Sequence, residues 1–285
     1  MTELDDLAAR IDRHERATVG LKPDNEARIV FAPGLPHVRQ PRSVVYLHGF
    51  TASQAEGEPA HRTIAAACEA HLFLNRLTGH GSELPDAMAG VTPERWRADA
   101  DEALDIGLSL GERVVLVATS MGGSLALDLA ARRPEAVEAV VAWSPGIRVH
   151  DPEQLRAAVL LQGAVVPPGE RSAFQRRYWS SVVHSDGYRA IARLFLEWMR
   201  PERLPKVTCP VFFGVWDGGN GDHDTLTSVA AMREAFGWLG TPPSKRRLVA
   251  YDHAAHVLAS PERSPAAARV LSDSLAFLRE TAIAR

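Results

Sequence analysis

The sequence has few cysteines and no long apolar run. Cys68 and Cys209 are its only two cysteines in 285 residues, and they form no closely spaced motif. This argues against a disulfide framework and a zinc site, and is typical of proteins of the reducing cytoplasm. No apolar stretch approaches the length that crosses a bilayer, and repeats and low-complexity tracts are absent. We therefore expect a cytoplasmic protein without a membrane span.

An excess of basic residues is also absent. The chain has 32 Lys and Arg against 35 Asp and Glu, a net charge of −3, so we expect no nucleic-acid partner. Its first residues are acidic, the opposite of a secretory leader, and we expect no such signal. With 46% hydrophobic and 24% charged residues, the composition is that of a globular protein. The length suits one large α/β domain or a domain with an insertion.

Apolar runs and helical patterns alternate along much of the chain. Strands are predicted over residues 28–32, 43–47, 72–75, 114–117, 137–143, 210–216 and 246–251. Helices are predicted over residues 4–16, 61–70, 93–107, 124–131, 229–239 and 261–283, and a proline-rich loop over 32–42. This alternation predicts a parallel sheet with helices on both faces and a ligand site at the carboxyl ends of the strands.

The strand rhythm stops between residues 147 and 206, a stretch rich in arginine and aromatic side chains. Two or three helices are predicted there, for example over 152–161, capped by Asp151, and over 188–199. We expect a helical lid over the site, which divides the chain into core residues 1–146, lid residues 147–206 and core residues 207–285. A helical subdomain with no gating role is the alternative.

A strand gives way to a helix within a few residues around Ser120. Such a corner needs very small residues two positions before and after its apex, and Ala118 and Gly122 satisfy this. Ser120 would stand at the apex, as in the nucleophile elbow G-x-S-x-G, with alanine at the first glycine position. An ordinary turn is the alternative, whereas a dinucleotide-binding loop would need a G-x-G-x-x-G spacing that is missing.

A second strand runs directly into His48-Gly49-Phe50. An oxyanion hole needs two backbone N–H groups aimed at one developing negative oxygen. The amides of Phe50 and of Met121, just after the serine, are the predicted pair. A plain strand-to-loop turn is the alternative. We expect His48, and His80 in a later Gly-His-Gly turn, to organise loops rather than to catalyse.

Acids and histidines follow the last two predicted strands. A serine nucleophile needs a histidine base, and that base needs a carboxylate to orient it. The chain offers three aspartates and then two histidines: Asp217, Asp222, Asp224, His253 and His256. The order Ser, Asp, His is the one that α/β-hydrolases use. The aspartates lack the spacing and the distal glutamate of an EF-hand, so we expect no metal.

Together these segments resemble the α/β-hydrolase fold serine hydrolases, most closely the carboxylesterase and monoacylglycerol-lipase-like group. The matching segments are Leu47-His-Gly-Phe-Thr51, Thr78-Gly-His-Gly81, Ala118-Thr-Ser-Met-Gly-Gly123, Asp224-Thr-Leu-Thr-Ser228 and Ala255-His-Val-Leu258. They are specific for the fold and the nucleophile, but not for a substrate. Ala118 departs from the glycine that the family usually has, a methyl group that is normally tolerated there.

The resemblance implies an α/β-hydrolase fold, with a mostly parallel central sheet, helices on both faces and a helical lid. It favours Asp224 as the acid, because the residues after it are similar to the family's Asp-x-Val-Val-Pro pattern; Asp217 is the alternative acid. It favours His256 as the base, at the family's Gly-His-apolar position, with His253 as the fallback.

The function that the resemblance implies is that of a serine carboxylesterase. It would hydrolyse small to medium acyl esters through Ser120, Asp224 and His256, without a cofactor. A lipase, a monoacylglycerol lipase or a thioesterase with the same triad is the alternative, and a ligand-binding homologue without activity is another. The expected partner is a small-molecule ester, and a homodimer is left open.

Overall fold

The structure is a computed structural model that describes residues 2–285. Its strands are β1 Arg28–Val30, β2 Gln40–Leu47, β3 His71–Leu74, β4 Gly111–Thr119, β5 Val137–Trp143, β6 Ala164–Val165, β7 Val183–His184, β8 Val211–Gly219, β9 Asp222–His223 and β10 Arg246–Tyr251. Its α-helices are α1 Glu3–Arg16, α2 Ala60–Ala67, α3 Pro93–Leu110, α4 Met121–Arg132, α5 Pro152–Leu160, α6 Ala173–Tyr178, α7 Ser185–Trp198, α8 Val229–Trp238 and α9 Ala267–Glu280.

The central sheet has the strand order β1-β3-β2-β4-β5-β8-β10. β1 is antiparallel to β3, and every later neighbour along this path is parallel. The short β9 folds back on β8, and β6 with β7 forms a separate two-stranded antiparallel sheet. The predicted fold class, a mostly parallel sheet flanked by helices, is confirmed. Because parallel strands share one carboxyl edge, the loops after β2, β4, β8 and β10 all emerge there.

The middle of the sheet is buried on both faces, which explains the unbroken apolar runs of its strands. Alternate side chains of β2 and β4 enter two separate cores. One core receives Val45, Leu47, Leu116 and Ala118. The other receives Val44, Tyr46, Val115 and Val117. This two-sided packing fixes the strand ends that carry the site.

Several predicted boundaries are wrong, and three of them have a clear physical reason. β2 begins at Gln40, inside the predicted loop, and Pro41 is tolerated because β3 pairs with β2 only from Ser43 onwards. β8 continues past its predicted end and turns back into β9, where a loop was predicted. α9 begins at Ala267, because the preceding residues form a turn in which the amides of residues 263 and 264 donate to the Ser260 carbonyl.

Residues 147–206 lie between β5 and β8 and contain the helices α5, α6 and α7, in line with the two or three helices predicted there. α5 begins at its predicted cap, where the Asp151 carboxylate accepts hydrogen bonds from two backbone amides. The place of α6 was not predicted, and neither was the pairing of β6 with β7. α7 packs towards the carboxyl edge of the sheet, where the Tyr188 ring meets the Phe50 ring edge-on, with 5.4 Å between centroids. This segment therefore borders the loops that carry the predicted site residues.

Candidate active site

Ser120 stands at a sharp corner between β4 and α4. Its backbone angles, φ 53° and ψ −120°, are strained for a residue with a side chain. The corner is held because the Ser120 carbonyl accepts hydrogen bonds at 2.8 Å from the amides of Gly123 and Gly146. A Cβ at Gly122 would lie only 2.0 Å from the Leu47 carbonyl oxygen, so only glycine fits there. This is the local geometry that the sequence predicts for a nucleophile elbow.

The Ser120 side chain is 7% exposed at the carboxyl edge of the sheet. Its neighbour across the corner is Gly49, where a Cβ would come within 3.1 Å of the Ser120 Cβ. Within residues 2–285, the Ser120 hydroxyl forms no hydrogen bond. The His256 ring instead contacts Asp224 and Thr227. Contacts of this kind often tighten only when substrate binds.

His256 and Asp224 are in direct contact. The Nδ1 atom of His256 lies 2.6 Å from Oδ2 of Asp224, which is completely buried. The other carboxylate oxygen accepts the amides of Leu226 at 2.8 Å and Thr227 at 3.0 Å. The Thr227 hydroxyl donates to Oδ2 at 2.9 Å. These bonds hold the carboxylate in one orientation toward the ring.

The pKa of Asp224 is lowered from its usual value, and the pKa of His256 is raised. Burial opposes the charged form of Asp224, but the His256 charge and the hydrogen bonds outweigh it and lower the pKa of Asp224 to about 2. Burial likewise opposes the His256 imidazolium, but Asp224, and the charge of Glu56 to a lesser degree, raise the pKa of His256 above its usual value. The site is therefore built to stabilise an imidazolium.

The alternative acid and base are held elsewhere. Asp217 accepts a hydrogen bond from Arg233 at 2.7 Å, whereas the hydrogen bonds of the His256 ring go to Asp224 and Thr227. The exposed His253 has φ 45°, and its amide donates to Asp222 at 2.7 Å. The structure thus brings Asp224 and His256 together and leaves Asp217 and His253 apart from them.

The two predicted oxyanion amides belong to Phe50, just after β2, and Met121, the first residue of α4. No acceptor for either N–H group is found among the residues that the structure describes. His48, beside them, is buried, accepts the Leu77 amide at Nε2, and bonds the Gly49 carbonyl through Nδ1. Burial lowers the pKa of His48 to about 4, so it stays neutral and organises the loop, as expected.

Sequence reasoning missed three features of the site. Thr227 touches both Asp224 and His256, and its position three residues after an aspartate was the only signal. Glu56 is buried behind the loop after β2, and nothing in its neighbourhood of small residues predicts this. An apolar cluster joins Ala52 and Val257 to the aromatic residues Phe174, Tyr178 and Trp179.

Comparison with known proteins agrees with this architecture. A sequence model described as the Alpha/beta hydrolase family matches residues 29–283. The chain belongs to the alpha/beta hydrolase family. The sheet order, the strained serine corner and the paired aspartate and histidine are thus features of an alpha/beta hydrolase. No curated protein sequence matches this alpha/beta hydrolase.

Solved structures of the same fold have low sequence identity. A structure reported with the metagenome-derived lipolytic enzymes LipS and LipT has a TM-score of 0.72 at 20% identity, covering 91% of this chain and 99% of its own. A Paleococcus ferrophilus monoacylglycerol lipase has a TM-score of 0.68 at 14% identity, covering 90% and 99%. Est1E from Butyrivibrio proteoclasticus, with ferulic acid bound, has a TM-score of 0.64 at 16% identity, and the match covers 90% of this chain and 95% of Est1E.

No helix in residues 2–285 of this alpha/beta hydrolase is long and apolar enough to span a bilayer.

Proposed function

We propose that this alpha/beta hydrolase is a serine carboxylesterase that hydrolyses small to medium acyl esters. Ser120 is the nucleophile, His256 the base and Asp224 the residue that orients it. The amides of Phe50 and Met121 form the oxyanion hole. The observation that carries the proposal is the 2.6 Å contact between His256 and Asp224 on the sheet edge where Ser120 occupies its strained corner.

Acylation begins when His256 Nε2 takes the proton of the Ser120 hydroxyl. The oxygen then attacks the ester carbonyl carbon, and the resulting oxyanion accepts hydrogen bonds from the two amides. As the tetrahedral intermediate collapses, the bond to the alcohol oxygen breaks and His256 returns its proton to that oxygen. Asp224 stabilises the imidazolium throughout, since its own pKa of about 2 keeps it ionised.

Deacylation repeats these steps with water. His256 takes a proton from water, whose oxygen attacks the acyl carbon, and the bond to Ser120 breaks as the serine regains a proton. The products are a carboxylic acid and an alcohol, and no cofactor is needed.

The apolar cluster favours an ester with an apolar portion. Trp179 and its aromatic neighbours contact Ala52, just after the oxyanion loop, and Val257, which follows His256. An acyl chain or alcohol group placed at Ser120 would meet this cluster. The solved lipases with the same fold make a lipase or monoacylglycerol lipase the second candidate, and rates over a series of ester chain lengths separate it from an esterase.

Covalent labelling tests the proposed nucleophile. A fluorophosphonate probe should label the wild-type protein at Ser120, and Ser120→Ala should abolish labelling and lower p-nitrophenyl ester turnover by roughly 10⁴-fold or more. The labelled peptide is mapped by mass spectrometry, with thermal melting as the control for folding. An unlabelled wild-type protein would instead indicate a ligand-binding homologue without activity.

A further inference from the structure

Glu56 is a buried carboxylate that the mechanism above does not use. It lies in the 3₁₀ helix Gln54–Gly57, between β2 and α2, and is only 2% exposed. Among residues 2–285 no cationic group lies within 4.0 Å of it. Burying an ionisable group without an ion-pair partner is costly, so such a group is uncommon away from functional sites.

The contacts of Glu56 lead to both halves of the site. Its Oε2 atom accepts the Gly49 amide at 2.6 Å, and Gly49 directly precedes Phe50. The Tyr46 hydroxyl lies 3.5 Å from the same oxygen and 2.9 Å from the Thr119 hydroxyl, and Thr119 directly precedes Ser120. One carboxylate therefore contacts the residue before an oxyanion amide and, through Tyr46, the residue before the nucleophile.

Glu56 also lies close to Ser120 itself. A Cβ at Gly49 would be 3.0 Å from Oε1 of Glu56 and 3.1 Å from the Ser120 Cβ, so the two side chains flank the same point. A side chain at position 49 would press against both of them. The absence of a side chain at Gly49 thus lets the Glu56 carboxylate lie close to the corner at Ser120.

The charge of Glu56 acts on the proposed base. It raises the pKa of His256, and the His256 charge in turn favours ionised Glu56. Burial is the larger influence on the carboxyl and raises the pKa of Glu56 to about 7, in spite of the Gly49 hydrogen bond. The charged or titratable groups around it are Tyr46 on β2, His61 on α2, His256 after β10, and Arg263.

Of these neighbours, His256 is the one whose ionisation near pH 7 is coupled to that of Glu56. Burial lowers the pKa of His61 to about 3 and raises that of Tyr46 well above its usual value, so both stay neutral near pH 7. The Arg263 charge lowers the pKa of both Glu56 and His256, and its Nε atom is buried without a partner.

We propose that Glu56 is a positioning residue of the hydrolase: its carboxylate holds the Gly49 amide in place for the oxyanion loop and stabilises the His256 imidazolium in addition to Asp224. The inference rests on the proposed function. Glu56 makes no contact with the reacting atoms. It acts through the loop and through the electric field at the imidazole.

Glu56→Gln separates charge from shape. The amide oxygen can still accept the Gly49 hydrogen bond, but the charge is lost. We expect kcat at pH 8 to fall roughly tenfold with little change in KM, because the imidazolium is stabilised less. The acid midpoint of the pH profile of kcat/KM should move down by on the order of 0.5–1 pH unit, since His256 loses a neighbouring negative charge.

Stability should change in the opposite direction from activity. Because the pKa of Glu56 is raised from 4.5 to about 7, its ionisation lowers the free energy of unfolding as pH rises through that range. Glu56→Gln removes this loss, so its melting temperature should equal or exceed that of wild type at pH 8. A carboxylate with a purely structural role would give the opposite result, a less stable variant.

Two further variants complete the test. Glu58→Gln removes a charge two residues away, at a side chain 39% exposed and paired with Arg62, and should keep the wild-type kcat and pH midpoint. Glu56→Asp keeps the charge but is too short for the Gly49 contact, so kcat should fall while the midpoint stays near wild type.

An unchanged kcat and midpoint in Glu56→Gln, a lower melting temperature in that variant, or wild-type kcat in Glu56→Asp would overturn the proposal. Fluorophosphonate labelling of wild-type Ser120 is measured beside them. Loss of that labelling counts against the proposed function, whereas normal labelling with unaffected Glu56 variants counts against the role of Glu56 alone.

Discussion

At the scale of the residue, Asp224 is distinguished from the other aspartates by what surrounds it. It is completely buried and accepts four hydrogen bonds from the three residues Leu226, Thr227 and His256. Its pKa of about 2 lies below the usual 3.8, so its charge stabilises the folded state above pH 4, and this stabilisation is lost as pH falls toward 2. Asp217 forms only an ion pair with Arg233 that is partly exposed.

The variants Asp224→Asn and Asp217→Asn form a matched pair. Asp224→Asn should lower kcat by about 10³–10⁴-fold, because an amide can neither stabilise the imidazolium nor hold the same tautomer of His256. Asp217→Asn should stay within about twofold of wild type, because this side chain lies apart from the imidazole. Ester hydrolysis measured at pH 8 checks both, and a larger loss in Asp217→Asn would reverse the assignment.

At the scale of the element, the aromatic cluster of Phe174, Tyr178 and Trp179 connects the 147–206 segment to the loops of the site. Trp179 is 9% exposed, and the amide of the next residue, Ser180, donates to the Thr51 carbonyl at 2.7 Å. This segment therefore forms an apolar wall beside the loop that carries the proposed oxyanion amide of Phe50.

Trp179→Ala should change the preference for acyl chain length. We expect kcat/KM for an octanoate ester to fall roughly tenfold, with acetate within about threefold, because only the longer chain loses apolar contact. Leu160→Ala is the control, since that side chain in the same segment is 77% exposed and should leave both rates unchanged. Equal losses for both esters would argue that Trp179 is structural.

Some of these elements could be predicted from the sequence and others could not. Buried parallel strands can be recognised in a sequence by their apolar runs. β5 and β10 were predicted with their observed bounds. The β8–β9 hairpin was missed because Gly218, Gly219 and Gly221 indicate a loop, although two of them supply the positive φ of its turn. The contact of His256 with Asp224 follows from strand order, whereas the burial of Glu56 depends on packing that no local pattern records.

At the scale of the whole molecule, a buried ion pair connects α1 to the core. Glu15, 5% exposed, accepts hydrogen bonds from Arg76 at 2.6 and 2.8 Å and from the Ala27 amide at 2.9 Å. Arg76 lies just after β3, so this pair joins the N-terminal helix to the sheet. The side chains of Arg76 and Glu15 are 11% and 5% exposed.

Removing one partner should destabilise the fold. Glu15→Ala leaves the Arg76 guanidinium buried without its carboxylate and should lower the free energy of unfolding by about 3 kcal/mol. Arg16→Ala, at the next position, breaks an ion pair with Asp12 whose side chains are 76% and 54% exposed, and should cost less than about 1 kcal/mol. Urea unfolding of both variants provides the comparison, and similar losses would refute a stabilising role for the buried pair.

Residues 147–206 connect two neighbouring strands of the central sheet, and this bears on which parts of the chain could be exchanged. β5 and β8, which precede and follow this segment, are adjacent strands, with Val140 opposite Val211. Because β5 and β8 are parallel, the chain leaves the sheet at its carboxyl edge after β5 and returns to the opposite edge to begin β8. A different segment that joined the same two strand ends could leave the pairing of β5 with β8 intact, so the fold separates residues 147–206 from the strand ends that carry the proposed site.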